Sequence, residues 1–164
     1  MSLRAVSLRA ARAEDAAGIA VIWNQIIDET LATFTSAPKQ PEALVDAIGA
    51  EPGRWFVAEA QGAVLGFACY FQFRGGPGYA QSMEYTIHLA QGARGRGLGR
   101  GLLAAVEAGA RAEGAHSLYG GVSGANPEGQ AFHARMGFAR LAVLPEVGRK
   151  NGQWLDLHLY HKFL

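Results

Sequence analysis

The sequence predicts one α/β domain, a mixed sheet flanked by helices on both faces, and three observations lead there. Apolar periodicities of strand and helix type succeed one another in the order β-α-α-β-β-β-α-β-α-β-β. Two strand pairs meet at short turn signals, Gln61-Gly62 and Asn151-Gly152, as hairpins do. The 164 residues, 49% hydrophobic and 18% charged, supply one ordinary core without a linker, repeat or low-complexity tract. The whole chain, residues 1–164, is therefore read as a single domain.

The elements follow in order. Residues 6–9 make a short strand, closed by Arg-Ala-Glu-Asp. Asp15 stands where an N-cap belongs, ahead of a helix over residues 16–30 that puts Ile19, Ile22, Trp23, Ile26 and Ile27 on one face. TSAPKQP is a loop, and Pro41 suits the first turn of a second helix running through Ile48. RWFVAEA and VLGFACYFQF form a hairpin, followed by RGGPGYAQ, a loop broken by glycine and proline. SMEYTIHL alternates strictly. Met83, Tyr85, Ile87 and Leu89 fall on one face, and Ser82, Glu84, Thr86 and His88 on the other, polar one. A glycine-rich stretch opens a helix to about Glu113, stopped by Gly114. HSLYGGV is a strand. Asn126-Pro127 pairs a cap with a first-turn proline, starting a helix that ends at Gly137. ARLAVLPEV and WLDLHLYHKFL are the last two strands.

Charge and composition exclude several classes of function. A formal net charge of +1 gives no broad basic face for nucleic acid. The single cysteine rules out an intramolecular disulfide and points to a reducing compartment. No apolar run approaches the ~20 residues of a spanning helix, and the N-terminus, MSLRAVSLRAARAED, reads as a strand and not as a secretion signal. The expectation is a soluble cytoplasmic protein with no nucleic-acid or membrane partner.

The most informative stretch is QGARGRGLGRGLL, residues 91–103, with five glycines and three arginines at the mouth of a helix. Glycine costs about 1 kcal/mol per helical position relative to alanine. A strand running through such a turn into a helix makes an anion site: unpaired N–H groups point outward, the helix dipole adds positive charge, and glycine lets a phosphate approach the backbone. Arg94, Arg96 and Arg100 add formal charge. The other reading is a solvated loop with solubilising arginines. A Walker loop needs Gly-Lys, which occurs nowhere in the chain, and the dinucleotide fingerprint fails at Leu102.

What the stretch does match is Arg/Gln-x-x-Gly-x-Gly/Ala, as Arg94-Gly95-Arg96-Gly97-Leu98-Gly99. With NPEGQAFHARMGF downstream, where Asn126 opens a helix closed by Gly137-Phe138, the chain resembles the GNAT acetyltransferases. It is similar in particular to their phosphinothricin acetyltransferase branch. The marks are TLATFT after the first helix, Tyr79 followed five residues on by Glu84, and His133 seven residues after Asn126. The last is GRKNGQWLD, with Gly148, Lys150, Gly152, Trp154 and Asp156 in the branch's C-terminal pattern.

The resemblance implies a mostly antiparallel sheet between helices, acetyl-CoA as co-substrate, no metal, and N-acetylation of a small amine. That amine would be an amino acid or an analogue such as phosphinothricin or methionine sulfoximine or sulfone, and a homodimer is implied as well. The cofactor contacts it implies are Ile87, His88 and Leu89 on the strand, Arg94, Gly95, Arg96, Gly97, Leu98, Gly99 and Arg100 in the loop, and Asn126, which is also a helix cap. For catalysis it offers Glu84 as base, directly or through water, with His133 serving the leaving thiolate or assisting the base, and His88 as a third group that could take the same proton. Without the resemblance, Glu84 is a solvated strand carboxylate and His133 a packed helix histidine. Arg74 and Tyr79, with Glu84, flank the expected acceptor mouth, or are plain surface residues. Cys69 and the three tryptophans read as packing.

Three positions depart from the branch. His88 replaces a tyrosine, which puts a second titratable group beside Glu84 on the polar face and within reach of tuning it. Gly129 replaces a serine, and Gly76 an arginine near the mouth. A polyamine-like amine, a protein N-terminus, and a non-catalytic acyl-CoA-binding regulator stand as alternatives.

Overall fold

Seven strands form one sheet in the computed structural model, which describes residues 5–164. They are β1 (Ser7–Ala10), β2 (Trp55–Ala60), β3 (Ala63–Gln72), β4 (Ser82–Leu89), β5 (Ser117–Ser123), β6 (Ala139–Lys150) and β7 (Gln153–Phe163). Their order across the sheet is β1-β2-β3-β4-β5-β7-β6. All neighbours are antiparallel except β4 and β5. Four α-helices, α1 (Ala16–Glu29), α2 (Pro41–Ala50), α3 (Leu98–Ala112) and α4 (Pro127–Arg135), complete the order expected from the sequence. The first four residues, the start of the N-terminal stretch read as a strand, lie outside the described residues. Among the described residues no helix is long and apolar enough to cross a membrane.

Both faces of the sheet carry a core. On one, Leu102, Leu103 and Val106 of α3 pack on Met83, Tyr85 and Leu118. On the other, Ile19 and Ile22 of α1 with Leu44 and Ile48 of α2 cover Val57 and Phe67. The alternation of β4 holds in this arrangement, since Ile87 and Leu89 join the α3 side. The opposite side of β4 is not a solvent face, however. His88 lies between the rings of Trp23 and Phe67, at centroid distances of 6.0 and 5.7 Å.

Local chemistry departs from the sequence reading at two places. Asp15 occupies the N-cap position of α1, yet its side chain makes no cap hydrogen bond to that helix. Its carboxylate instead accepts the Arg12 N–H at 2.7 Å and both guanidinium arms of Arg9 at 2.7 and 2.9 Å. A bidentate charged donor outcompetes the amides of the first turn. The second departure is β6, which the apolar pattern ends at Val147. Pairing skips from Leu144 to Gly148, with Glu146 at φ 50, and then runs on to Lys150. Asp156 holds this bulge by accepting the Glu146 N–H at 2.8 Å.

Phe67, 0% exposed, sits beneath Trp23 at 5.0 Å and Trp55 at 6.5 Å and anchors α1 to the sheet. Phe67→Ala is expected to cost about 3–5 kcal/mol, lowering the melting temperature by roughly 10 °C. A thermal melt unchanged within about 2 °C would show that this aromatic cluster does not hold the helix.

Candidate active site

Strands β4 and β5 run parallel and pair only at Ser82–Ser117, Met83–Leu118 and Glu84–Tyr119. Past that point β4 stays with β3 up to Leu89, while β5 stays with β7 up to Ser123. The two strands part like a V, and a cavity of about 920 Å³ occupies the opening. Its walls are residues 85–89 of β4, residues 120–123 of β5, the mouth of α3, and α4. On the α1 side they are Trp23, residues 30–35 and Lys39. The cavity thus passes through the sheet from the α3 face to the α1 face.

Backbone direction gives the parted edge its chemistry. The Ala90 N–H donates to Leu65 O at 2.8 Å, toward β3. Alternation then turns the backbone groups of Leu89 and Ile87 the other way, into the opening. Those of His88 face β3, so of the three strand residues only Ile87 and Leu89 offer backbone N–H and C=O groups to a ligand.

At the end of this edge α3 begins without a side-chain cap. Gly101 N–H donates to Gly97 O at 3.2 Å, and the N–H groups of Leu98, Gly99 and Arg100 before it have no intrahelical acceptor. Gly97 holds φ 77, a left-handed conformation costly for other residues, with open space where a side chain would stand. Arg94 and Arg100 line the cavity and Arg96 does not. Arg94 is tied to Glu128 at 2.9 Å. Uncapped donors, the helix dipole and two cations make a cradle for a phosphate group.

Across the opening, His133 is buried and fully bonded. Its Nδ1 lies 2.7 Å from Gly129 O, which can only accept, so Nδ1 carries the proton. Nε2 then accepts the Tyr85 hydroxyl at 2.6 Å. Burial holds this imidazole below the usual histidine pKa against the opposing Gly129 bond, and burial raises the Tyr85 phenol. Neither nitrogen of His133 is free. Both residues stand in the cavity wall. A Cβ at Gly120 would strike His133 Nε2 at 2.5 Å, so a bare backbone on β5 makes room for the pair.

Glu84 lies on the opposite face from Tyr85 and His133, so the two expected catalytic groups do not compete for one proton. Its carboxyl pKa is raised by burial alone, and His88 does not tune it. His88 itself is pushed down to about 4, by burial first and then by the charges of Arg94 and Lys39. It is a neutral ring in an aromatic setting. Glu84 stands one step along its face beyond Thr86, which lines the cavity, and does not itself line it. Arg74 and Tyr79 are farther off, paired as a cation over a ring at 5.9 Å and outside the cavity. Gly76 beside them has φ 103, a backbone that the branch's arginine would strain. Asn126 does cap α4, accepting the Gly129 N–H at 3.0 Å, and lines the cavity. A Cβ at Gly129 would collide with the Asn126 side chain as it stands.

Two wall residues escaped the sequence reading. Tyr85 sits on the apolar face of β4, and its partner lies 48 residues on. Lys39, from the loop TSAPKQP, places Nζ 4.4 Å from the Trp23 ring centroid on the α1 side of the cavity. A cation following an aromatic helix face is a signal only once the loop is known to fold back.

Residues 23–138 match the model of the acetyltransferase (GNAT) family. The chain is 34% identical to an L-methionine sulfoximine/L-methionine sulfone acetyltransferase of Pseudomonas paraeruginosa, over 92% of this chain and 90% of that one. It is 33% identical to a phosphinothricin N-acetyltransferase of Streptomyces coelicolor, over 96% and 95%. A solved phosphinothricin acetyltransferase from Sinorhizobium meliloti, in complex with acetyl-CoA, superposes with a TM-score of 0.90 at 29% identity, covering 97% of this chain and 88% of that chain. With the family model spanning the parted strands and the phosphate cradle, the chain belongs to the GNAT family of acetyltransferases.

Proposed function

We propose that this enzyme transfers the acetyl group of acetyl-CoA to the α-amine of a small amino acid or amino-acid analogue. The observation that carries the reading is the unpaired edge of β4, which leads directly into the uncapped N-terminus of α3. An extended chain of amides ending in a pyrophosphate suits that track. Its amides pair with Ile87 and Leu89 as an added strand would, and its phosphates meet the N–H groups of Leu98 to Arg100 with Arg94 and Arg100 nearby. Acetyl-CoA, when bound, supplies an activated acetyl thioester: the amine's N–C bond forms as the C–S bond breaks, and the CoA sulfur leaves with the second proton that the nitrogen gives up. The residues of the chain do the rest. Glu84, its carboxyl raised by burial toward the range of a useful base, takes the proton of the incoming ammonium through a water past Thr86. Lys39 is a cation for the acceptor's carboxylate on the α1 side. The names of the relatives, which include acetyltransferases of methionine sulfoximine and phosphinothricin, favour an amino-acid analogue.

We infer likewise a cytoplasmic homodimer. Cys69 is a free buried thiol, which suits a reducing compartment. The edge strand β6 exposes the apolar side chains of Leu141, Val143 and Val147, open to a second copy.

A thiol-release screen tests the reaction, with acetyl-CoA against amino acids, their sulfone, sulfoximine and phosphinic analogues, polyamines and peptides. Turnover is expected with the amino-acid analogues. Preference for polyamines or peptides would move the acceptor class, and no turnover with any amine would leave an acyl-CoA-binding protein. Gly97→Val should abolish detectable acetyl-CoA binding by calorimetry while the protein stays folded. Desacetyl-CoA should raise the melting temperature of the native protein well above what NAD or ATP achieves at equal concentration. Unchanged affinity in the variant would reduce the glycine to a turn.

Glu84→Gln should lower kcat by about 10²–10⁴ with acetyl-CoA affinity nearly intact. The base must be ionised, so wild-type kcat/KM falls as pH drops through the raised Glu84 pKa. The variant should lack that limb and recover part of its rate at high pH, where the amine loses its own proton. A near-normal kcat in Glu84→Gln, with activity abolished in His88→Ala or His133→Ala, would hand the base to a histidine.

A further inference from the structure

The C-terminal pattern GRKNGQWLD has no role in the chemistry above, yet it contains a buried charge. Lys150, 5% exposed, ends β6. Its Nζ donates to three carbonyls far back in the chain: Ile27 O at 2.6 Å, Thr30 O at 2.9 Å and Thr33 O at 3.1 Å. The first belongs to the last turn of α1, whose C-terminal carbonyls lack helical partners. The other two lie in the segment that continues as the α1-side wall of the cavity. Thr30 closes the helix from within, its hydroxyl donating to Ile26 O at 2.7 Å and accepting the Ala32 N–H at 3.1 Å. Three carbonyls thus take up the three lysine donors, with the Thr33 hydroxyl a longer contact at 3.5 Å, and among the described residues no carboxylate pairs with the ammonium. Two residues earlier, Gly148 faces the same segment. Any Cβ there would collide with the Phe34 ring, which lines the cavity.

We propose that the β6–β7 hairpin sets the acceptor wall, with Lys150 as the positioning residue that fixes residues 30–35 by their carbonyls and Gly148 as the seat of Phe34. The proposal rests on the acetyl-transfer reading. It assigns the segment to the acceptor because the cofactor track runs along Ile87, Leu89 and the mouth of α3, on the other side of the opening. Without the ammonium, the carbonyls of Ile27, Thr30 and Thr33 lose a shared donor, and the wall loses what, among the described residues, ties its backbone to the sheet's far end. A displaced wall misplaces the amine and leaves the phosphate cradle as it was.

Steady-state kinetics with L-methionine sulfoximine as probe amine, calorimetry with CoA and a thermal melt test this on Lys150→Met and Gly148→Ala of the full chain. The expected result is an amine KM raised roughly tenfold or more, with the CoA dissociation constant within about twofold. An amine KM within about twofold of wild type in a folded variant overturns the proposal. So does a parallel loss of amine and CoA affinity, which would mark a general loosening of the fold. If Lys150→Met does not fold, Gly148→Ala decides by the same criteria, since it disturbs Phe34 and keeps the ammonium. Absence of turnover in the wild-type protein would instead sink the acetyl-transfer reading and is recognised as such.

Discussion

The rest of this molecule depends on the parting of β4 and β5. A strand that loses its neighbour exposes N–H and C=O groups that need partners, and leaving them buried and unmade costs about 1–3 kcal/mol each. Most folds avoid that cost by keeping sheets continuous. Here each strand remains bonded on its far side, β4 to β3 and β5 to β7, so the gap is held open by the sheet itself. A ligand with regularly spaced amides can satisfy the exposed edge, and α3, starting where β4 ends, receives whatever charge that ligand carries at its tail. Binding, direction and reach follow from one missing pairing.

Burial then sorts the titratable groups around the gap. The same loss of water that raises the Glu84 carboxyl depresses His88 and His133, because it penalises whichever form is charged. The outcome is one carboxylate moved toward a useful basicity and two imidazoles held neutral. One imidazole is locked by Tyr85 and Gly129, the other enclosed by aromatic rings. A neutral ring whose lone pair already accepts a phenol proton is a poor base. The electrostatics therefore separate groups that the sequence left overlapping, with the raised carboxyl of Glu84 on the α1 side of the sheet and the tyrosine–histidine pair on the α3 side.

Local signals made most of the fold legible. Period-two and period-3.6 patterns, a proline at the first turn of α2 and α4, and an Asn-Gly hairpin all act within a few residues. The loop from Arg94 to Arg100 was legible for the same reason, since its chemistry is local backbone geometry. What the sequence could not give depends on distance. Alternation correctly separated Tyr85 from Glu84, but nothing in it says that His133 rises to meet the tyrosine, 48 residues away. Arg74 and Tyr79 looked like mouth residues because the loop is close to Glu84 in sequence. The cavity is lined on β4 from Tyr85 to Leu89, and neither Arg74 nor Tyr79 is in its wall. Asp15 failed as a cap because a nearby arginine offered it a stronger partner.

The C-terminal pattern shows how a spacing of two becomes mechanical. In the hairpin Arg149 pairs with Trp154 and Lys150 with Gln153, so alternation divides the pattern between the two faces. Gly148 and Lys150 look toward the end of α1. Trp154 takes the other face with Arg149, whose guanidinium lies 4.6 Å from the ring centroid. Asp156, on the side of Trp154, holds the Glu146 amide and so fixes the bulge from which β6 resumes. The bulge sets four steps of β6, from Leu144 to Gly148, against two of β7, from Leu157 to Leu155, so without it Lys150 would keep its face but sit two positions along the strand, about 7 Å from its place at the end of α1. The buried ammonium thus relies on a carboxylate it never touches. A strand at the edge of the sheet delivers a charge to a helix end more than a hundred residues earlier in the chain only because its register is pinned on one face and used on the other.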